Sequence, residues 1–229
     1  GSLNDYFILT AGQTFPLSSN GDFSGVVTDD NVVRELVAAG KSWKVYAESL
    51  PSVGYTGASV YPYAKRHDPF AYFSDVLNNP GQAANLVPFS QFADDLANNR
   101  LPQYVFIVPN LLDDMHDCPG GAGTTCAVTD KETAGDNWLR ANIGPLIESA
   151  GFKNDGLLVI TFDEAENGDN TYGGGKVATI LVSSRVKPGY KSTTLYQHES
   201  TLRLTLEALG VKIFPAKAAN APSMLEFFQ

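Results

Sequence analysis

The stretch Leu157-Leu158-Val159-Ile160-Thr161-Phe162-Asp163-Glu164 decides the fold class of this chain. Its apolar run reads as a β-strand buried on both faces, the pattern of a parallel sheet with helices on each side. The run stops in two adjacent carboxylates, and Glu166, Asn167, Gly168 and Asp169 continue as a turn-rich loop. In open parallel sheets, ligands gather outside the carboxyl ends of strands. Two neighbouring acids there repel each other unless a cation or a shared proton intervenes. The pair is read as a metal site, against the alternative of an acidic loop that caps a strand in solvent.

Working outward, Tyr104-Val105-Phe106-Ile107-Val108 is a second buried-strand run, stopped by Pro109-Asn110. Trp43 to Ala47 and Val177 to Ser183 read as further strands, and Leu3 to Thr10 as an apolar segment at or near a strand. Asp29 and Asp30 are placed as the N-cap of a helix presenting Val33, Leu36 and Val37 and ended by Gly40. Helical turns are expected around Asp68 to Val76 and Phe89 to Leu96. Longer helices are expected over Ala134 to Ala150, with Trp138, Leu139, Ile143, Leu146 and Ile147 inward, and over His198 to Leu209, burying Leu202, Leu206 and Leu209. Strands separated by helices imply right-handed βαβ units and an α/β chain with a mainly parallel sheet between helical layers. No repeat, low-complexity linker or domain break appears, so residues 1–229 are read as a single domain.

Composition narrows the partners. The chain has 229 residues, 43% of them hydrophobic and 18% charged, enough for a sizeable core. A net charge of -9 without a basic run argues against nucleic acid, which needs clustered Lys and Arg. No segment reaches the roughly 18 unbroken apolar residues of a membrane span. Cys118 and Cys126 flank the Gly- and Thr-rich loop Pro119 to Thr125, which can fold back and bring the sulfurs together. A local disulfide is favoured over free thiols or a zinc site with His116. It would place the protein in an oxidising compartment, periplasmic or secreted.

The three histidines sit in suggestive segments: His67 in Arg66-His67-Asp68-Pro69-Phe70, His116 in Asp113-Asp114-Met115-His116-Asp117-Cys118, and His198 in Tyr196-Gln197-His198-Glu199-Ser200. His116 follows a strand's carboxyl end as Asp163 and Glu164 do, which favours a functional role. For His67 and His198 spacing alone leaves a structural hydrogen-bonding role ahead.

Taken together these segments resemble a known family. Leu157 to Glu164 followed by Gly173-Gly174-Gly175 is similar to the metal-binding segment of the bacterial phosphoesterase family that holds acid phosphatases of the respiratory-burst-inhibiting type and phospholipases C. Arg66-His67-Asp68-Pro69-Phe70-Ala71-Tyr72-Phe73, Val108-Pro109-Asn110 through His116-Asp117-Cys118, Gly135-Asp136-Asn137-Trp138-Leu139 and Tyr196 to Arg203 resemble further family segments, in the family's order. The resemblance implies an alkaline-phosphatase-like α/β/α core and one divalent cation held by Asp163, Glu164 and Ser2. Ser2 would be the nucleophile, forming a phosphoserine, with His67 and His116 on the phosphoryl oxygens. His198 and Asp117 would support that site from behind.

The family's nucleophile segment reads Ser-Leu-Pro-Asn-Tyr, and this chain has Ser2-Leu3-Asn4-Asp5-Tyr6. The family's preceding strand, which ends in Glu-Asn and supplies two more metal ligands, has no counterpart here. The expectation is a phosphoesterase domain lacking its N-terminal strand, holding metal weakly and prone to self-association through a bare sheet edge. The implied function is metal-dependent hydrolysis of a small phosphorylated substrate or phospholipid head group, as an acid phosphatase-like enzyme. A phospholipase C-like phosphodiesterase is the runner-up, disfavoured because Ala165-Glu166-Asn167 replaces that branch's Asn-Asp-Gly. A catalytically incomplete ligand-binding remnant is the rival from a different class.

Overall fold

The structure is a computed structural model that describes residues 1–18, 23–165 and 168–229, so Glu166 and Asn167 of the expected acidic loop lie outside the described residues. In chain order the helices are α1 (Ser2–Ala11), α2 (Val32–Ala38), α3 (Ser74–Leu77), α4 (Pro80–Ala83), α5 (Phe92–Ala97), α6 (Val128–Asn142), α7 (Gly144–Glu148), α8 (Ala150–Asp155) and α9 (His198–Ala208). The strands are β1 (Trp43–Ala47), β2 (Leu86–Pro88), β3 (Tyr104–Val108), β4 (Leu158–Thr161) and β5 (Thr179–Val182). The chain divides into two units: Gly1–Lys41 with Lys153–Gln229, and Ser42–Phe152.

The second unit holds a three-stranded parallel sheet in the order β2-β1-β3. β1 is its centre, and Trp43, Val45, Tyr46 and Ala47 are all buried. Side chains alternate between the faces. Trp43 and Val45 lie opposite Tyr104 and Phe106, and Phe70 covers that face with its ring 5.5 Å from Trp43 and 5.0 Å from Phe106. Phe70 comes from a 3-10 turn, Pro69–Tyr72, where a helical turn is expected. On the opposite face Tyr46 meets Phe92 of α5 edge-on at 5.3 Å, and its hydroxyl donates to Asp95 at 2.6 Å. Lys44 and Arg100 also donate to Asp95, so this buried acid is paired. Because β1 and β3 run parallel with Ala47 opposite Val108, their carboxyl ends emerge side by side. The Glu48 N–H extends the ladder, donating to the Val108 carbonyl at 2.8 Å.

The helix expected over Ala134 to Ala150 begins earlier, at Val128, where Asp130 Oδ2 accepts from the Ala127 N–H at 3.0 Å. It also breaks at Ile143, before Pro145 at the start of α7, a residue with no N–H to continue the helix. Trp138 and Ile143 are buried, whereas Leu139, Leu146 and Ile147 are half-buried. β3 is likewise mostly half-buried, less enclosed than its apolar composition suggests.

In the first unit the opening segment is a helix, not a strand. Leu3, Asp5, Phe7, Thr10 and Ala11 are its buried residues, and all but Asp5 are spaced at i, i+4, i+7 and i+8. That helical period outweighs the β propensity of Tyr6, Phe7 and Ile8. Phe7 is closed in by Phe15 and Phe23, with ring centroids at 5.0 and 5.7 Å. α1 packs on α9, which buries Leu202, Leu204 and Leu206 and leaves Leu209 half-buried beyond its end. The cap of α2 is Asn31 instead of Asp29 or Asp30: its side chain accepts from the N–H groups of Val33 and Arg34. Asp30 accepts from the Asn31 N–H at 2.8 Å one step earlier.

The strand expected over Leu157 to Phe162 forms as β4, but it is half-buried, and its partner β5 runs antiparallel with Leu158 opposite Val182. Among the described residues the link between them carries only a 3-10 turn, Thr171–Gly173, whereas a parallel pair is usually joined through a crossover helix. Thr179 and Ile180 of β5 are exposed. The chain is thus mixed α/β with a parallel three-stranded sheet, as its alternating pattern implies, plus one antiparallel pair that the pattern does not.

Candidate active site

Ser2, Asp163, Glu164 and His198 belong to the first unit, and His67, His116 and Asp117 to the second. In the first unit, Ser2 is the opening residue of α1 and its hydroxyl donates to Glu164 Oε1 at 2.8 Å, across 162 positions of sequence. His198, the first residue of α9, meets the other acid differently: Nε2 donates to the Asp163 backbone carbonyl at 2.5 Å. The tautomer follows from that acceptor. His198 therefore anchors the backbone of the acidic pair.

The glycine-rich stretch after the pair folds back on it, and the Gly174 carbonyl accepts from the Ala165 N–H at 2.8 Å. Gly175 has φ +79, and a Cβ there would lie 2.5 Å from both the Ala165 Cβ and the Asp169 carbonyl oxygen, so only glycine fits. Asp169 ties the turn through the N–H groups of Thr171 and Lys176 at 2.9 and 3.0 Å. Hydrogen bonds from Thr171, then from Lys176, hold its carboxyl down at about 2.

Asp5, a buried residue of α1 on a different face from Leu3 and Phe7, also faces this cluster. Burial pushes its carboxyl above the usual range, and the charges of Glu164 and Asp163 push it further, against the terminal amine and His198. Its Oδ2 makes no hydrogen bond among the described residues, with the terminal amine 3.5 Å away. Three carboxylates and a hydroxyl are hard oxygen donors of the kind that suit a divalent cation, and a buried acid oxygen without a hydrogen bond is the local excess of negative charge that such an ion would offset. Among the described residues, no group of three or more His, Cys, Asp or Glu is arranged to hold a metal ion. The donor chemistry fits a cation; a ready-made cage is not there.

In the second unit the two imidazoles are brought together, with ring centroids 5.9 Å apart. Asp114 organises both. Its Oδ2 pairs with His67 Nδ1 at 3.1 Å, and its Oδ1 accepts from the His116 backbone N–H at 2.8 Å. His67 is buried, while His116 keeps nearly half its side chain exposed. His116 Nδ1 pairs with Asp117 Oδ1 at 2.8 Å, and Nε2 lies 3.3 Å from Arg66 Nη2. An arginine can only donate, so Nε2 accepts and Nδ1 carries the proton toward Asp117. Lys131 of α6 donates to the His116 carbonyl at 2.9 Å. The arrangement offers oriented imidazoles and a guanidinium, which are groups that bind phosphoryl oxygens.

Asp68, the residue after His67, is fully buried. Burial raises its carboxyl to about 7, partly offset by the Tyr63 hydroxyl at 3.4 Å. Cys118 and Cys126 are bonded, with Cα atoms 5.8 Å apart, closing the loop directly after Asp117.

Asp114, Arg66, Asp5 and Glu48 were not singled out from sequence. Glu48 had a usable signal, since it stands at the carboxyl end of β1 as Asp163 and Glu164 stand beyond β4. Arg66 and Asp114 had only proximity to a histidine. Asp5 lies in Leu3 to Thr10, which sequence marks only as an apolar segment near a strand, and nothing in that composition signals a buried acid on a helix.

Residues 2–212 match the model of the phosphoesterase family. The chain is 33% identical over 209 residues to a probable acid phosphatase of Kluyveromyces lactis, covering 86% of this chain and 46% of that protein. It is 30% identical over 210 residues to an acid phosphatase of Aspergillus fumigatus, covering 86% and 43%. A phosphatidylinositol-3-phosphatase of Mycobacterium tuberculosis is 31% identical over 224 residues, covering 98% of this chain and 67% of that protein. The chain thus spans about half the length of the fungal relatives it matches.

Proposed function

Because the chain belongs to the phosphoesterase family, we propose that it hydrolyses phosphoric monoesters with Ser2 as nucleophile and one divalent cation as cofactor. The observation that supports this most is the Ser2 hydroxyl hydrogen-bonded to Glu164, which joins the nucleophile and metal-ligand positions implied by sequence. Ser2 Oγ attacks phosphorus, the bond to the ester oxygen breaks, and the alcohol leaves with a proton. Water then cleaves the phosphoserine and frees inorganic phosphate. Glu164 holds the hydroxyl proton where a carboxylate withdraws it. His67 donates to the phosphoryl oxygens, and His116 does so when it carries a second proton on Nε2, with Asp114 and Asp117 fixing their rings and Arg66 adding positive charge. Asp163, Glu164 and Ser2 would hold the cation, which when bound acidifies a hydroxyl and offsets phosphoryl charge.

Likeness to proteins named acid phosphatases favours a phosphomonoester, and likeness to a phosphatidylinositol-3-phosphatase favours one carried on a lipid head group. The disulfide supports a periplasmic or secreted setting. The test is hydrolysis of p-nitrophenyl phosphate with added divalent cations, beside Asp163→Ala and His116→Ala. We expect turnover in the parent, loss in both variants, loss on chelation, and an acid-trapped phosphoryl group on the peptide containing Ser2. Turnover that persists in excess chelator removes the cation from the mechanism. One observation favours a second reading, a phosphate-binding remnant: no group of metal-holding side chains is preassembled among the described residues. That reading expects bound inorganic phosphate and no turnover with any cation.

A further inference from the structure

Glu48 and Asp113 form a carboxyl pair at the root of the loop that carries Asp114 and His116, and neither has a role above. From this juxtaposition we infer that Glu48 and Asp113 share one proton, and that the shared proton positions the His116 loop in acid and releases it as the pH rises. The effect on catalysis rests on the phosphoesterase reading; the shared proton does not.

Glu48 is held from three sides. Its N–H extends the sheet to the Val108 carbonyl at 2.8 Å. Oε2 accepts from the Asn110 N–H at 3.0 Å, and Oε1 accepts from the Trp138 indole of α6 at 3.1 Å. Both oxygens therefore already face donors. The Asp113 side chain lies within hydrogen-bonding reach of it. Two carboxyl groups hold that contact only with a proton between them.

The loop is under tension that such a contact would restrain. Ser49, just after Glu48, has φ 60, and Met115, just before His116, has φ 70; neither is glycine. Ser49 accepts from the Asn110 side-chain amide at 3.2 Å, and Asn110 Oδ1 accepts from the Leu112 N–H at 2.8 Å. Met115 packs where Gly135 of α6 has no side chain, since a Cβ there would collide with it. Root, loop and helix thus meet at Glu48.

The titratable groups facing Asp113 are Glu48 and Asp114, and Asp114 is itself paired with His67. Burial raises the Asp113 carboxyl to about 6, with Glu48 and then Asp114 adding to the rise. A carboxyl raised on folding binds its proton more tightly in the native state. Its stabilising contribution is full below the ordinary carboxylate range and is lost as the pH climbs through about 6.

Asp113→Asn tests this, because the amide donates permanently to Glu48. Thermal unfolding of the full chain from pH 4 to 8 should show the variant gaining on the parent up to about pH 6 and then holding a lead of about 2–4 °C. The same variant should remove the decline of kcat/KM above pH 6 while matching the parent within about twofold at pH 5. Carbon-13 NMR of the parent's side-chain carboxyls should show a titration centred near 6 that is missing from the variant. Parallel melting curves, or a parent spectrum with no titration near 6 that the variant lacks, overturn the inference. Melting and NMR need no substrate, so they decide it even if the protein hydrolyses nothing.

Discussion

The two clusters of candidate residues, one in each unit, are built in opposite ways. In the second unit each candidate side chain has a protein partner already in place: Asp114 for His67, Asp117 and Arg66 for His116. In the first unit acids crowd together: burial and the charges of Glu164 and Asp163 raise the cost of charging Asp5, the Ser2 hydroxyl bonds to Glu164, and the His198 imidazole bonds to the Asp163 backbone. The first kind of region is finished by the polypeptide. The second is an oxygen-rich surface whose electrostatics call for something cationic. The contrast shows that orientation and charge compensation are divided between different stretches of the chain.

The sharpest way to break this division is Ser2→Ala. If the acid-rich cluster does the covalent chemistry, the variant should lose about a thousandfold in kcat/KM toward p-nitrophenyl phosphate, on the order of 4 kcal/mol. Replacing Cys118 and Cys126 together by Ser removes the clamp on the other cluster. Chemical denaturation should show about 2–3 kcal/mol lost, as expected for a short closed loop. Asp68→Asn probes the buried acid that follows His67. Its carboxyl is raised to about 7, so the parent loses stability as the pH rises through that value, and the variant should be more stable by about 2 kcal/mol at pH 8 yet no better below pH 4. Asp114→Asn is the smallest change. It should lower kcat/KM about tenfold by loosening both rings, while the Ser2 phosphoryl adduct still forms. An unchanged rate would show that His67 and His116 orient themselves without it.

Much of this was written in the chain. Trp43 to Ala47 and Tyr104 to Val108 are strands at the residues their β-branched and aromatic composition indicates, and the Cys118 to Cys126 loop closes as its small residues allow. Other parts were hidden for physical reasons. Leu3 to Thr10 is dense in residues that suit strands, and only the spacing of Leu3, Phe7 and Ala11 betrays the helix. The antiparallel turn of β4 to β5 depends on what the intervening loop lacks, namely a crossover helix. Asp114 looked like one more acid in a charged run, because its dual bond to His67 and His116 needs the fold to bring residues 67 and 116 together. Side-chain partnerships across long separations leave no periodicity to read.

The Trp138–Glu48 hydrogen bond has a consequence for how the protein can be watched. The chain has two tryptophans, and Trp43 is buried against Phe70 with its indole on Gln82, away from Glu48. Trp138 is therefore a native fluorophore sitting on one oxygen of the carboxyl pair. Its emission should respond when the neighbouring proton departs, so optical spectroscopy could follow the loop in unlabelled protein, turnover by turnover, without a dye.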